Sequence, residues 1–337
     1  MQLGVLSNQC LDPPLNWTTL GPPLLHPLAS NFGATLISPP PLTWAHLSDW
    51  RNVVRKVHAA DTLFWMQSSA RPEIPVHLAS VFAGRVKKSA FVVDAFRGAI
   101  RKIGTLAVMQ RLDPCFVAFR EGYEELKQRF PSGRFEWLQF GIDTEVFDSV
   151  PGERPVFAYW MGRRYQPLHE ALKTYCADRR LDYRYTLKAG EFADPKELGR
   201  LVGQSQYFVV TPPDLDDPVR TGGYSPLVMR YMEGLAAGAR LLGVLPRSGE
   251  YQTLMPMDAI LQVAPDGSDL AAKLDADRKK TEIRLAVERA RVYVRAQHSW
   301  GKRAEQIYQR LATGNPTRFG EKVATRCQEI AGTEQPR

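Results

Sequence analysis

The sequence predicts an α/β protein made of two successive doubly wound halves, and three observations carry that prediction. Short apolar runs rich in Val, Leu and Phe alternate with longer stretches of helical periodicity, the pattern of parallel strands joined by crossover helices. The polar, Pro/Gly-bearing stretch DSVPGER (148–154) interrupts the alternation, which then resumes as a linker between domains would allow. At 337 residues the chain is long for one core and comfortable for two.

In the first half, strands are expected over residues 2–7, 35–38, 62–67, 90–93, 115–120 and 135–139. Helices are expected near 44–58, 75–82 and 121–129, with a short one at 16–20 inside a proline-rich segment. The loop 8–16 holds no glycine and so makes no phosphate cradle. Asp94 follows the fourth strand, with Phe96, Arg97 and Gly98 beside it. Ligands of open α/β sheets bind beyond the carboxyl ends of strands, so Asp94 could meet an acceptor hydroxyl or a donor sugar. The competing reading makes it a helix N-cap.

The second half opens with a strand at 156–161 and the turn Gly162-Arg163-Arg164, which puts two guanidinium groups at a strand's carboxyl end. Their planar fork suits bidentate contact with phosphate. Strands follow at 183–187, 207–211, 240–244 and 258–263, with helical periodicity over 269–295. His298-Ser299-Trp300 interrupts that periodicity, a last helix runs to about 311, and 313–337 reads as a loosely packed polar tail.

The stretch YFVVTPPDLDDPVRTGGYSPLVMRYMEGLAAGARLLGV (207–244) organises this half. Ser225 is a favourable N-cap, Pro226 suits the first helical position and Gly238 a left-handed end, which predicts a helix over 226–237. Its N-terminus at Ser225, Pro226 and Leu227, with Gly222 and Gly223 just ahead, is then an expected phosphate site. Val228, Tyr231, Met232, Leu235 and Ala236 fall at core spacing, leaving Arg230 and Glu233 to be explained. Glu233 lies roughly 12 Å along the helix from the phosphate position, a span a nucleoside diphosphate covers, so its carboxylate could accept both ribose hydroxyls. Alternatively, Arg230 and Glu233 form an exposed i,i+3 pair.

The run SPLVMRYMEGLAAGARLLG resembles the donor-site segment of the group-1 retaining glycosyltransferases, a family of bacterial nucleotide-sugar-dependent enzymes with the GT-B fold. That family is marked by a glutamate, seven residues, a second glutamate and a small-residue turn into a strand. Glu233 matches the second glutamate, which the resemblance assigns to the donor ribose, while Ser225 stands where the first would fall. FGIDTEVF (140–147), YWMGRR (159–164) and HSWGKRAEQIY (298–308) resemble the family's interdomain signature, its first C-domain turn and its C-terminal helix. Arg163 matches the diphosphate arginine; the usual lysine after it is absent, and Lys188 is the candidate replacement. The resemblance implies two Rossmann-like α/β domains facing across a cleft. The acceptor-side domain would span 1–148 and the nucleotide-sugar domain 155–297, with a helix at 298–312 crossing back to the N-domain.

It further implies sugar transfer from a nucleotide diphosphate-sugar, which is a co-substrate, to a glycan, lipid-linked or small-molecule acceptor, with retention, without a metal and with no cofactor. Asp94 and Arg163 are the catalytic candidates. The alternatives are a GT-B sugar-nucleotide epimerase or phosphorylase, or a catalytically inactive binder of nucleotide sugar or nucleic acid.

Asp214-Leu215-Asp216-Asp217 offers a rival, the D-x-D element by which another glycosyltransferase fold holds Mn²⁺. Its place in a second α/β half, just ahead of an anion-binding helix, fits a metal-independent site better. Walker A, G-x-G-x-x-G, H-E-x-x-H and G-x-S-x-G motifs are absent, so ATPase, dehydrogenase, metalloprotease and hydrolase readings lack their usual elements. Cys10, Cys115, Cys176 and Cys327 are scattered, which suggests neither disulfides nor zinc. With no secretory signal pattern and no long apolar run, a cytoplasmic protein is expected. Of the net charge of +8, residues 51–102 hold +7, ten Lys/Arg against three acids. That stretch is expected to meet an anionic acceptor or the inner membrane face peripherally. Nucleic acid is disfavoured, since Phe64, Trp65 and Phe91 lie in strands expected to be buried.

Overall fold

The computed structural model describes residues 1–7, 21–43, 46–68, 74–186, 194–321 and 323. The chain divides into two units, Met1–Gly141 with Trp300–Phe319, and Ile142–Ser299 with Gly320–Arg337.

The first unit is organised by six parallel strands: β1 (Leu3–Leu6), β2 (Thr35–Ile37), β3 (Thr62–Gln67), β4 (Lys87–Val92), β5 (Leu112–Val117) and β6 (Phe135–Trp137). Their order is β2-β1-β3-β4-β5-β6. β1 and β3 are buried throughout, as strands covered on both faces must be. β4 and β5 begin three residues before the expected starts, because Lys87 and Lys88 at one entry and Pro114 at the other break the apolar run by which a strand is read.

The helix expected at 16–20 lies outside the described residues, and a helix that was not expected, Gly21–Phe32 with Pro27 inside it, follows. It packs on the helix Trp300–Thr313, where Phe32 stacks on Tyr308 with ring centroids 4.5 Å apart. Arg303 of that last helix is fully buried. Its Nε donates to the carbonyls of Gln139 (2.6 Å) and Phe140 (3.1 Å), and its guanidinium lies 4.5 Å from the Phe319 ring centre. Phe319 is itself buried and meets Trp137 edge-on, so the chain beyond 313 is packed into the unit at least this far, contrary to the loose tail expected. At Gly141 a Cβ would stand 2.6 Å from the Trp300 ring, and only glycine lets the helix seat there.

The second unit carries five parallel strands, β7 (Val156–Trp160), β8 (Tyr183–Tyr185), β9 (Ser205–Val210), β10 (Arg240–Gly243) and β11 (Ile260–Gln262), in the order β11-β10-β9-β7-β8. Phe157, Trp160, Leu172, Val209, Leu242 and Leu270 belong to its core. The helices Ile100–Met109, Gln166–Asp178 and Pro195–Gly203 complete the crossovers that the sequence pattern left unassigned. Among the described residues no helix is long and apolar enough to cross a membrane.

Candidate active site

In both sheets the chain starts at an inner strand, lays the next strand on one side and then continues on the other. This places a crevice outside the carboxyl ends of β1 and β3 in the first unit, and of β7 and β9 in the second. Trp160 of β7 is in register with Val209 of β9, so the turns that follow, from Gly162 and from Thr211, leave the sheet side by side.

The helix from this segment begins later than expected. It spans Met229–Ala236, with Val228 in extended conformation at its N-cap position, and residues 224–228 belong to no helix or strand. Ser225 precedes a proline, which favours extended backbone, and is buried with its Oγ accepting from the N–H of Arg247 (3.0 Å). The Leu227 N–H, expected to face phosphate, donates to the buried carboxylate of Glu250 at 2.6 Å. Ser225, Pro226 and Leu227 are therefore buried connecting chain rather than a helix N-terminus. Gly222 and Gly223 form a left-handed turn, with φ of 60° and 91°. Lys188 lies outside the described residues.

Glu233 is 6% exposed, and its Oε2 has no hydrogen-bond partner among the described residues. The exposed i,i+3 pair with Arg230 does not form. Burial pushes the Glu233 carboxyl up to about 7, against the opposing pull of Arg230. Arg230 lies instead beside the turn after β7: a Cβ on Gly162 would stand 3.6 Å from its Nη2. Gly162 has φ 79°, so glycine serves the left-handed turn, and the guanidinium packs at ordinary contact distance beside it.

Asp216 is pushed up to about 6, first by burial and against the fields of Arg230 and Arg163. Its Oδ1 and that of Asp214 are buried without hydrogen-bond partners, while Asp214 Oδ2 accepts from Arg247 (2.8 Å). Arg163 is not free of the fold: its Nη1 donates to Asp217 at 2.7 Å. Both side chains are partly exposed. Such a pair is worth about 0–1 kcal/mol, little to oppose an incoming phosphate. Arg164 is structural, donating to the Thr186 carbonyl and lying 4.7 Å from the Tyr185 ring centre.

Arg163, Arg230, Asp216 and Glu233 thus form one electrostatic group beyond β7 and β9. It offers two cations to a dianion and two carboxylates raised toward neutrality. Such perturbed groups gather where a ligand completes them.

No protein-family model matches the sequence, and no curated protein matches it. Among solved structures, sucrose-phosphate synthase from Thermosynechococcus elongatus superposes with a TM-score of 0.56 at 13% identity, over 94% of this chain and 100% of that one. HepE from Anabaena, in complex with UDP and glucose, superposes with a TM-score of 0.58 at 10% identity, over 93% and 100%. The chain has the GT-B fold. At these identities the likeness is one of architecture, and the residues of this GT-B chain speak only for themselves.

In its first unit, Asp94 stands half-buried two residues beyond β4. The N-cap positions of the short turn Arg97–Ala99 and of the helix Ile100–Met109 are held by Phe96 and Ala99, so Asp94 occupies neither. A cavity of about 320 Å³ opens beyond the carboxyl end of β2, lined among others by Ser38, His46, Asp49, Asn52 and Lys56. Nothing in the sequence pattern had singled it out, since its lining is spread over a loop and one helix face. Cys115 and Cys176 are buried, and burial pushes both thiols up to about 12, which makes poor nucleophiles.

Proposed function

We propose that this chain is a glycosyltransferase whose second unit binds a nucleoside diphosphate-sugar and whose first unit receives the acceptor, with retention at the anomeric carbon and no metal. The observation that carries the reading is Glu233, a buried carboxylate with an unpartnered oxygen, set on a helix whose Arg230 lies beside the glycine turn ending β7. A ribose supplies two hydroxyl donors for that carboxylate, and a diphosphate supplies the anion for Arg230 and Arg163. The HepE complex with UDP and glucose, on the same fold, agrees with such a donor.

In the transfer, the bond from the anomeric carbon to the diphosphate oxygen breaks and the bond to the acceptor oxygen forms. The departing diphosphate takes the electron pair, and Arg163 and Arg230 stabilise the charge it gains. Asp94 is assigned to the acceptor side, to orient the incoming hydroxyl; for retention that hydroxyl enters on the face the diphosphate leaves, and its proton passes to the departing diphosphate oxygen. Asp216 and Asp217 keep the two arginines in place rather than hold Mn²⁺.

A thermal-shift panel of nucleosides, nucleoside diphosphates and nucleotide sugars tests the donor. A ligand at a hundredfold excess over its Kd stabilises by about 2.7 kcal/mol. Failure of every nucleotide to stabilise the protein sinks the reading. Release of free sugar from the stabilising donor in EDTA separates a transferase from an inactive binder, and abolition by chelator with rescue by Mn²⁺ removes the metal-independent part.

A further inference from the structure

The ten basic residues of 51–102 do not act as a single stretch. Those described fall into three groups, on the helix Leu47–His58, on the turn and strand entry at 85–88, and at 97–102. The middle group has apolar company that the others lack. The helix Ile74–Phe82 ends on Val81 and Phe82, and the helix Ile100–Met109 ends on Val108 and Met109. All four side chains are exposed, Met109 to 77% and Val81 to 62%. The two helix ends are tied together, because Gln110 meets His77 Nδ1 at 2.8 Å and lies 3.5 Å from Ser80 Oγ. Four cations stand around this apolar ground: Arg85, Lys87, Lys88 and Arg111. Arg111 is exposed on a left-handed residue, φ 54°, in the turn into β5. None of the four forms an ion pair among the described residues. The carboxylate of Asp61 accepts from the N–H of Gln2 (2.6 Å) and forms no ion pair with any of the four among the described residues. Lys88 is held below its usual range by burial and then by Arg111, so these two like charges lie close together.

We infer that this surface, Val81, Phe82, Val108 and Met109 within a ring of Arg85, Lys87, Lys88 and Arg111, docks the protein on an anionic lipid bilayer. An anionic bilayer offers phosphate for the ring and hydrocarbon for the centre, which matches both parts of the surface. A second copy of the chain brings the same four charges and is repelled. Nucleic acid meets the ring but gives Val81 and Met109 nothing apolar, and Phe82 is the only ring there for a base to stack on. The patch lies at the edge where β4 and β5 begin, opposite the carboxyl ends where the acceptor is placed, so docking leaves that edge of the unit uncovered. This inference stands whether or not the donor assignment holds.

Co-sedimentation of the full chain with vesicles tests it, using phosphatidylcholine alone and phosphatidylcholine mixed with phosphatidylglycerol, at low and high salt. Binding is expected to the anionic vesicles only and to weaken with salt. Each basic side chain of the ring replaced by Glu should lower partitioning by about fivefold or more. Met109→Asp should lower it as well, while Arg51→Glu with Arg55→Glu, the same charge change on another helix, should leave it within about twofold. Circular dichroism on each variant confirms folding before the comparison. Equal and negligible binding to both vesicle types overturns the inference. So does an equal loss in the Arg51/Arg55 control, which reduces the effect to net charge. Dimerisation abolished by Met109→Asp, or ring-dependent binding to an oligonucleotide in place of vesicles, assigns the surface to another occupant.

Discussion

The sheets of the two units follow the same winding for five strands, and their crevices differ in what fills them. Beyond β7 and β9 stand Arg163, Arg230, Asp216 and Glu233, with carboxylate oxygens left unpaired in the interior. At the ends of β1 and β3 the described residues are the neutral Ser7, Gln67 and Ser68, and the indole of Trp65 donates to Gln67 within the sheet itself (2.9 Å). A buried carboxylate without a partner destabilises a scaffold, and among the described residues the first unit has none at this place. The winding tells where a ligand can sit; the cost of the unpaired charges singles out the second crevice as the one to test for the proposed donor.

The comparison can be broken most severely from the first unit. Arg303→Met leaves the carbonyls of Gln139 and Phe140 without their donor and is expected to destabilise by about 3 kcal/mol or more. Hydrogen exchange should then show lost protection in β1–β6 with β7–β11 nearly unchanged; uniform loss across both sheets would mean that the units do not unfold separately. The second test is pH. The Glu233 carboxyl is raised from 4.5 to about 7 in the folded chain, so the native state keeps a proton that the unfolded chain has released between those values. Stability from this group is full below pH 4.5 and is lost as pH rises through 7. Relative to Glu233→Gln, the wild type should lose up to about 3 kcal/mol over that window in denaturant titrations. A flat difference would show that the carboxyl is solvated.

Glu233→Gln should also weaken nucleoside diphosphate binding by about 1.5–3 kcal/mol by calorimetry, the worth of charge-assisted hydrogen bonds. Unaltered affinity would remove the ribose role. The smallest effect expected is that of Arg163→Lys, which keeps the charge and loses the fork. A fall of about tenfold in kcat/KM with an unmoved melting temperature marks contact with the diphosphate. A lowered melting temperature with normal kinetics would make the pair with Asp217 the residue's whole purpose.

Most of the architecture was legible because parallel strands buried on both faces must be apolar: all eleven were found in the sequence, with errors at their ends where Lys87, Lys88 or Pro114 intervene. The turn after β7 was legible too, from a glycine followed by arginines. The helix start was not. Ser225-Pro226 satisfies the local chemistry of an N-cap, and the deciding contacts come from Arg247 and Glu250, more than twenty residues away. The place of Arg230 was illegible for the same kind of reason, since its guanidinium lies beside Gly162, on a turn far away in the chain.

Arg303 has one more consequence, for the order in which the protein is made. Residues 1–141 leave the ribosome without the helix that fills their own core, and Trp300, Arg303 and Phe319 arrive only after all of β7–β11. The amino-terminal unit is therefore completed only after the strands of the second unit have been made, and until then its nascent core has an open side that chaperones can recognise.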